Sequence, residues 1–260
     1  MKIGIVGGGF VGTATSLLAA PAVECLVWDI VAEKRQPADL VWETFVTCDA
    51  FFVCVPTPAK VDGSVELGMV ESAVAQLAPL ARPIFLRSTV PIGTNDRLGT
   101  HSMPEFLTER NWRSDVERCP LWVLGSPSQH AQRLIQSLLT LAKSAGCIGS
   151  DRLECVTRQE AEACKYFRNA FLATKVSFFN EAESLCRATG ASFETVRSLV
   201  CADPRIGDSH SQVPGPDGQR GFGGSCFPKD TKGLLAQYHA NGVRAPQLEG
   251  TLARNAIERH

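Results

Sequence analysis

The chain has 260 residues, 44% of them hydrophobic, enough to bury one large core or two modest ones. A formal charge of −1 argues against an electrostatic preference for nucleic acid or an anionic membrane. No apolar run approaches the roughly 20 residues of a membrane span, and MKIGIVGGGF lacks the charged-then-apolar pattern of a secretory signal, so a soluble cytoplasmic protein is expected.

In chain order, Lys2–Val6 reads as a buried strand that stops at glycines, followed by helical spacing over Phe10–Ala20. Cys25–Asp29, Phe51–Val55 and Ile84–Ser88 read as further buried strands, with a helix over Gly68–Leu80 before the last of them. Leu121–Gly125 and Pro127–Ala145 add one more strand and helix. This alternation predicts an α/β fold: a Rossmann-like, doubly wound parallel sheet with helices on both faces, running to about residue 150.

From Thr157 to Gly190 the helical pattern is nearly unbroken. Thr157 with Glu160 fits a capping box, and Gly190 suits the left-handed residue that ends a helix. A helix of about 48 Å, at 1.5 Å per residue, exceeds the needs of a small domain and predicts an interface between subunits. Ser192–Leu199 is a short helix, Ala202–Gly224 a loop, and Thr231–Asn241 and Pro246–Arg259 are helices. Residues 151–260 thus read as an all-α central domain built on one long helix.

The 10 cysteines include no CxxC pair and are scattered over strands and helices. They are expected to be nearly all small buried hydrophobes of a reducing compartment. The five histidines do not fall near them at ligand spacing, so no metal site is expected.

Gly7-Gly8-Gly9-Phe10-Val11-Gly12 satisfies GxGxxG between a strand and a helix. In that context glycines make a tight turn and let backbone N–H groups approach a pyrophosphate. Asp29 ends the next strand, where a carboxylate accepts hydrogen bonds from ribose hydroxyls and repels a 2′-phosphate, favouring NAD over NADP. Lys34 or Arg35 nearby would blunt that preference.

Four more segments carry reactive residues. Arg87-Ser88-Thr89-Val90-Pro91 follows a buried strand, where open α/β sheets place their sites. Pro104-Glu105-Phe106-Leu107-Thr108-Glu109 holds two carboxylates one turn apart, on one face if helical. Lys165 and Asn169 share a face of the long helix. Cys226 stands in GFGGSCFPKDT, followed by Lys229 and Asp230. Taken singly, the lysine, asparagine and glutamates read better as solvated helix faces than as chemical groups. Cys226, between glycines and Phe-Pro, suits a shaped pocket more than a core position.

Together with CVPTP (54–58), DGSVELGMVESAV (62–74), EAEACKYFRNAFLATKVSFFNE (160–181) and DPRIG (203–207), these segments resemble the UDP-glucose/GDP-mannose dehydrogenase family, in the family's order. The resemblance implies a four-electron oxidation of a primary alcohol to a carboxylate with two NAD+. It makes Cys226 the nucleophile of a thiohemiacetal and then a thioester. It assigns Lys165 and Asn169 to oxyanion stabilisation, Asp230 and Thr89 to the catalytic water, and Glu105 or Glu109 to thioester hydrolysis. It implies cofactor contacts from Gly7, Gly9, Phe10, Val11, Gly12, Asp29, Lys34, Pro56, Thr57, Ser88, Thr89 and Lys229. Substrate contacts would come from Phe106, Leu107, Phe222, Gly223 and Arg205, the last reaching into a neighbouring subunit. A homodimer through the long helix is also implied.

Most members of that family carry a third domain after the central helices, whereas this chain stops at His260, so a short form is expected. The segment between Asp29 and Phe51 is also short. Three readings stand at this point: a compact dehydrogenase of a nucleotide sugar, the same chemistry on a smaller or carrier-bound alcohol, or a non-catalytic NAD-binding module or fragment that needs a partner chain.

Overall fold

A computed structural model describes residues 1–259. The chain divides into two compact units, Met1–Pro58 with Glu66–Lys165, and Ala59–Val65 with Tyr166 onward.

The first unit is built on strands β1 (Lys2–Val6), β2 (Glu24–Trp28), β3 (Ala50–Val53), β4 (Ile84–Leu86), β5 (His101–Ser102), β6 (Trp122–Gly125) and β7 (Leu153–Val156), in the order β2-β1-β3-β4-β5-β6-β7. The first five are parallel, and β6 runs antiparallel to β5 before pairing parallel with β7. The parallel sheet of the sequence reading is therefore mixed at one edge. Strand period 2 sends Phe52 and Phe85 to one face and Phe51, Val53 and Leu86 to the other. Helices α1 (Phe10–Ser16) and α6 (Gln129–Ser144) cover the first face, and α3 (Gly68–Leu77) covers the second.

Short helices α2 (Trp42–Phe45), α4 (Thr94–Leu98) and α5 (Trp112–Glu117) carry too few residues for a periodic signal. Strands β5 and β7 were also unexpected. The first is the dipeptide His-Ser, and the second is a half-exposed edge strand interrupted by Glu154. Helix α1 ends four residues earlier than its pattern, because Leu17 and Leu18 turn their N–H groups to Ala14 and Thr15 carbonyls in 3₁₀ fashion. Helix α3 likewise passes into a 3₁₀ turn at Ala78–Leu80.

The long helix α7 (Arg158–Thr189) is continuous over 32 residues. Its capping box is reciprocal: the Thr157 N–H donates to Glu160 Oε2 at 2.7 Å and the Glu160 N–H to Thr157 Oγ1 at 3.2 Å. Gly190, at φ 75°, ends it.

In the second unit, Tyr166 and Ala170 of α7 pack with Leu234 of α9 (Phe227–Ala240) and Leu248 of α10 (Pro246–Glu258), while α8 (Phe193–Cys201) follows α7. Helix α9 starts four residues before the expected Thr231. Pro228 fits a first helical turn, where its missing N–H costs nothing. Cys226 thereby becomes the residue that opens a helix.

Candidate active site

The glycine turn follows from sterics at two positions. Gly7 has φ 101°, and a Cβ there would meet the Cys54 carbonyl oxygen at 2.9 Å. At Gly12 a Cβ would lie 1.8 Å from the Gly7 carbonyl oxygen. Gly9 differs: nothing lies within 4 Å of its Cβ position, so the outer surface of the turn is open. The first-turn N–H groups of Phe10, Val11 and Gly12 follow, and a helix start leaves such groups without intrahelical partners. Asp29, half-buried just beyond β2, accepts from Gly8 N–H at 2.6 Å and from Val31 N–H at 2.8 Å. An open glycine surface, first-turn N–H groups without intrahelical partners and an adjacent carboxylate fit a dinucleotide. Lys34 is exposed beside Gly8, while Arg35 stacks 4.0 Å from the Trp28 ring centroid.

Other residues expected at the cofactor lie in the same unit. Ser88 donates its hydroxyl to the Val55 carbonyl at 2.7 Å, next to half-buried Thr89. Thr57 is buried and Pro56 exposed. These residues follow β3 and β4 at their carboxyl ends, the crevice side of a parallel sheet.

A charge cluster is buried in the first unit. Lys165 Nζ bonds Glu105 Oε1 at 2.6 Å, with 3% and 4% of the two side chains exposed. Glu105 Oε2 accepts from Leu107 N–H at 2.6 Å, and Lys165 lies 6.0 Å from the centroid of half-buried Phe106. Residues 103–108 are not helical, so Glu105 and Glu109 do not share a helix face. Glu109 lies in an exposed turn.

Two further buried charges are hidden in the sequence. Arg87, 2% exposed, closes the apolar run of β4. Its Nη1 donates to the Met103 carbonyl at 3.4 Å, and its Nε has no hydrogen-bond partner among the described residues. Burial holds this guanidinium below its ordinary pKa, against the opposing pull of Cys54 and Glu105. Glu162, one turn before Lys165, is 3% exposed. Arg87 carries one signal, its place at the end of an apolar run, whereas Glu162 stands among polar residues and carries none.

In the second unit Asp230 is 1% exposed and held from two sides. Asn169 Nδ2 donates to its Oδ2 at 2.6 Å and Lys229 Nζ to its Oδ1 at 2.5 Å. Its N–H makes the first bond of α9, to the Cys226 carbonyl at 2.8 Å. Cys226 itself is partly exposed, its sulfur 3.6 Å from the Ser225 hydroxyl. The approach to Cys226 is pinned by α10 and by Arg259, which follows it. The Asn255 side chain pairs with both the N–H and the C=O of Phe222, at 2.7 and 3.0 Å, and the Arg259 guanidinium closes over Gly223. Arg205 is exposed and forks onto Asp203, two residues before it, at 3.0 and 3.1 Å.

Lys165 and Asn169 follow one another by a single turn of α7, and both are buried, at 3% and 7% exposure. They are not a solvated stripe. The cysteines depart from expectation as well: Cys48, Cys54 and Cys186 are buried, Cys155 and Cys164 are exposed, and the rest lie between. Burial pushes the Cys25 and Cys48 thiols up to about 12 and Cys54 to about 11.

Comparison with known proteins agrees with this architecture. The model of the UDP-glucose/GDP-mannose dehydrogenase family, NAD binding domain, matches residues 31–142, and that of the family's central domain matches residues 159–256. The UDP-glucose 6-dehydrogenase of Pseudomonas aeruginosa is 30% identical, over 100% of this chain and 66% of its own length. That of Rhizobium meliloti is 30% identical, over 98% of this chain and 67% of its own. The structure of a UDP-glucose dehydrogenase from Pyrobaculum islandicum superposes with a TM-score of 0.85 at 26% identity, covering 98% of this chain and 68% of that one. The chain thus spans about two thirds of the length of these relatives. With its glycine turn, mixed sheet and long central helix, the chain belongs to the UDP-glucose/GDP-mannose dehydrogenase family and carries that family's NAD-binding domain.

Proposed function

We propose that the chain is an NAD-dependent dehydrogenase that oxidises a primary alcohol to a carboxylate in two steps, with the 6-hydroxyl of UDP-glucose as the first substrate to test. The net reaction is RCH2OH + 2 NAD+ + H2O → RCOO− + 2 NADH + 3 H+. Bound NAD+ supplies the hydride acceptor in each oxidation. The Cys226 thiolate adds to the aldehyde carbon after the first oxidation, forming a C–S bond and a thiohemiacetal. The second oxidation converts this to a thioester. Water attacks the thioester carbon, the C–S bond breaks, and the thiolate leaves with the electron pair.

Lys165 and Asn169 donate hydrogen bonds to the substrate oxygen as charge develops on it. Glu105, with Glu109 as the exposed second carboxylate, takes the proton of the attacking water. Asp230 and Thr89 hold that water, and Lys229 steadies Asp230. Phe106, Leu107, Phe222 and Gly223 contact the substrate, and Arg205 reaches it from a neighbouring subunit.

The observation that carries this reading is the head of α9. A partly exposed cysteine opens the helix, and one turn on, a buried carboxylate is bonded by both an amide and an ammonium. Such a carboxylate, desolvated and doubly held, is costly to place without a task.

The test is a panel of nucleotide sugars and simple primary alcohols, with NADH counted per acid formed. Two NADH per acid are expected, and Cys226→Ser is expected to stall before acid release. A wild-type protein that binds NAD+ but reduces none with any member of the panel would leave only a binding module. Turnover of simple alcohols alone would move the substrate assignment.

The partner is a second copy of this chain. Phe167, Phe171, Phe178 and Leu185 are 49%, 69%, 59% and 66% exposed and recur along one stripe of α7. Phe171→Lys with Phe178→Lys is expected to halve the mass in sedimentation equilibrium, and an unchanged mass counts against this interface.

A further inference from the structure

We infer that Glu162 is a positioning residue: it sets the loop carrying Ser88 and Thr89 at a fixed place relative to Lys165. This inference rests on the dehydrogenase reading above.

The geometry is a three-point grip. Glu162 Oε2 accepts from the Gly93 N–H at 2.6 Å, and Oε1 accepts from the Asn95 N–H at 2.8 Å and from Asn95 Nδ2 at 2.7 Å. Asn95 is fully buried and is fixed in turn, its Oδ1 receiving the Thr100 hydroxyl at 2.8 Å. Gly93 precedes α4 at φ 93° and has no side chain to cap the helix. The Glu162 carboxylate takes that place from a distant segment.

The loop between β4 and Gly93 is short, with Thr89 four residues before Gly93 and three after Leu86. One end is held by the sheet and the other by Glu162, while buried Val90 anchors its middle. On α7, Glu162 precedes Lys165 by three residues and Asn169 by seven, so all three lie on one face of a 3.6-residue helix. A shift of Glu162 moves Thr89 relative to Lys165, which lies one turn on in the same unit.

The residue type is specific. Only a carboxylate offers two oxygens that accept three N–H groups without presenting a donor. Glutamine would aim an NH2 at the Gly93 or Asn95 N–H. A buried carboxylate with no hydrogen-bonded cation among the described residues is an expensive way to cap a five-residue helix, so a geometric demand is the better explanation.

The experiment compares wild type with Glu162→Gln in two arms. Hydrogen exchange of the peptide spanning 88–98 is expected to quicken in the variant, with β1 and α6 unchanged. In turnover, kcat is expected to fall roughly ten- to a hundredfold, the scale of a misplacement near 1 Å, while KM for NAD+ stays within about twofold. The acyl form of Cys226 is expected to accumulate in intact mass spectra, because Thr89 acts on the hydrolytic water. The pair Glu162→Gln with Asn95→Asp restores the side-chain bond with its polarity reversed and is expected to recover part of kcat, which a general loss of stability would not.

Unchanged exchange over 88–98 in Glu162→Gln overturns the inference. So does a folded variant with wild-type kcat and no acyl intermediate. If the wild type turns over nothing, the reaction scheme fails separately, and the exchange arm still decides whether Glu162 holds the loop.

Discussion

Replacing Lys165 with methionine removes the positive half of a pair whose side chains are 3% and 4% exposed and whose atoms are 2.6 Å apart. Breaking a buried pair from one side costs roughly 3–5 kcal/mol, since an uncompensated charge stays behind. The surroundings decide which end of that range applies. After Lys165→Met, Glu105 keeps its bond from the Leu107 N–H and the field of buried Arg87, so the lower end, about 3 kcal/mol, is expected. After Glu105→Gln, Lys165 and Arg87 are two buried cations without their common anion, and about 5 kcal/mol is expected. The double variant leaves only Arg87 charged and should cost no more than Glu105→Gln alone, a coupling of about 3 kcal/mol. Urea unfolding at pH 7, followed by circular dichroism across the four proteins, measures all three quantities. Additive costs, or a Lys165→Met penalty equal to or above that of Glu105→Gln, would refute the idea that one carboxylate serves both cations.

At the glycine turn, Gly12→Ala is expected to prevent folding of the first unit, because its Cβ would lie 1.8 Å from a backbone oxygen that no rotamer can move. Gly9→Ala meets nothing within 4 Å, so stability should change by less than about 0.5 kcal/mol. Calorimetry should nonetheless show NAD+ affinity falling at least about tenfold, and wild-type affinity in Gly9→Ala would remove the cofactor from this surface.

Burial, with Arg158 nearby, holds His101 neutral and pushes its pKa down from 6.5 to about 4. Between those values the unfolded chain binds a proton that the folded chain does not. Stability is therefore complete above pH 6.5 and declines as pH falls toward 4, by up to about 3 kcal/mol from this residue. His101→Phe, which preserves the packing on Phe85, should flatten that slope in a urea series from pH 4 to 7. An unchanged slope assigns the acid lability elsewhere.

Buried strands and long helices are legible because each repeats its signal. Three buried residues in a row mark β4, and α7 carries its own capping box and terminal glycine. Strand β5 was not legible, since His-Ser has no apolar character and exists as a strand through pairing with β4 and β6. The sequence pattern puts the start of α9 four residues late, because proline reads as a breaker except in a first turn.

The reactive residue types at Lys165, Asn169, Cys226 and Asp230, and the glycine turn before α1, were determined by the sequence alone, because chemistry and backbone sterics are local properties. Tertiary structure decided which of these groups are desolvated and what each one holds. Glu105 and Glu109 look equivalent in PEFLTE, yet one is buried against Lys165 and the other lies in an exposed turn. Arg87 and Glu162 look like surface charges, yet both are buried, Glu162 with bonds to residues 67 and 69 positions away. Burial and long-range hydrogen bonds depend on which segments the fold brings into contact, and the local pattern of residues does not contain that information.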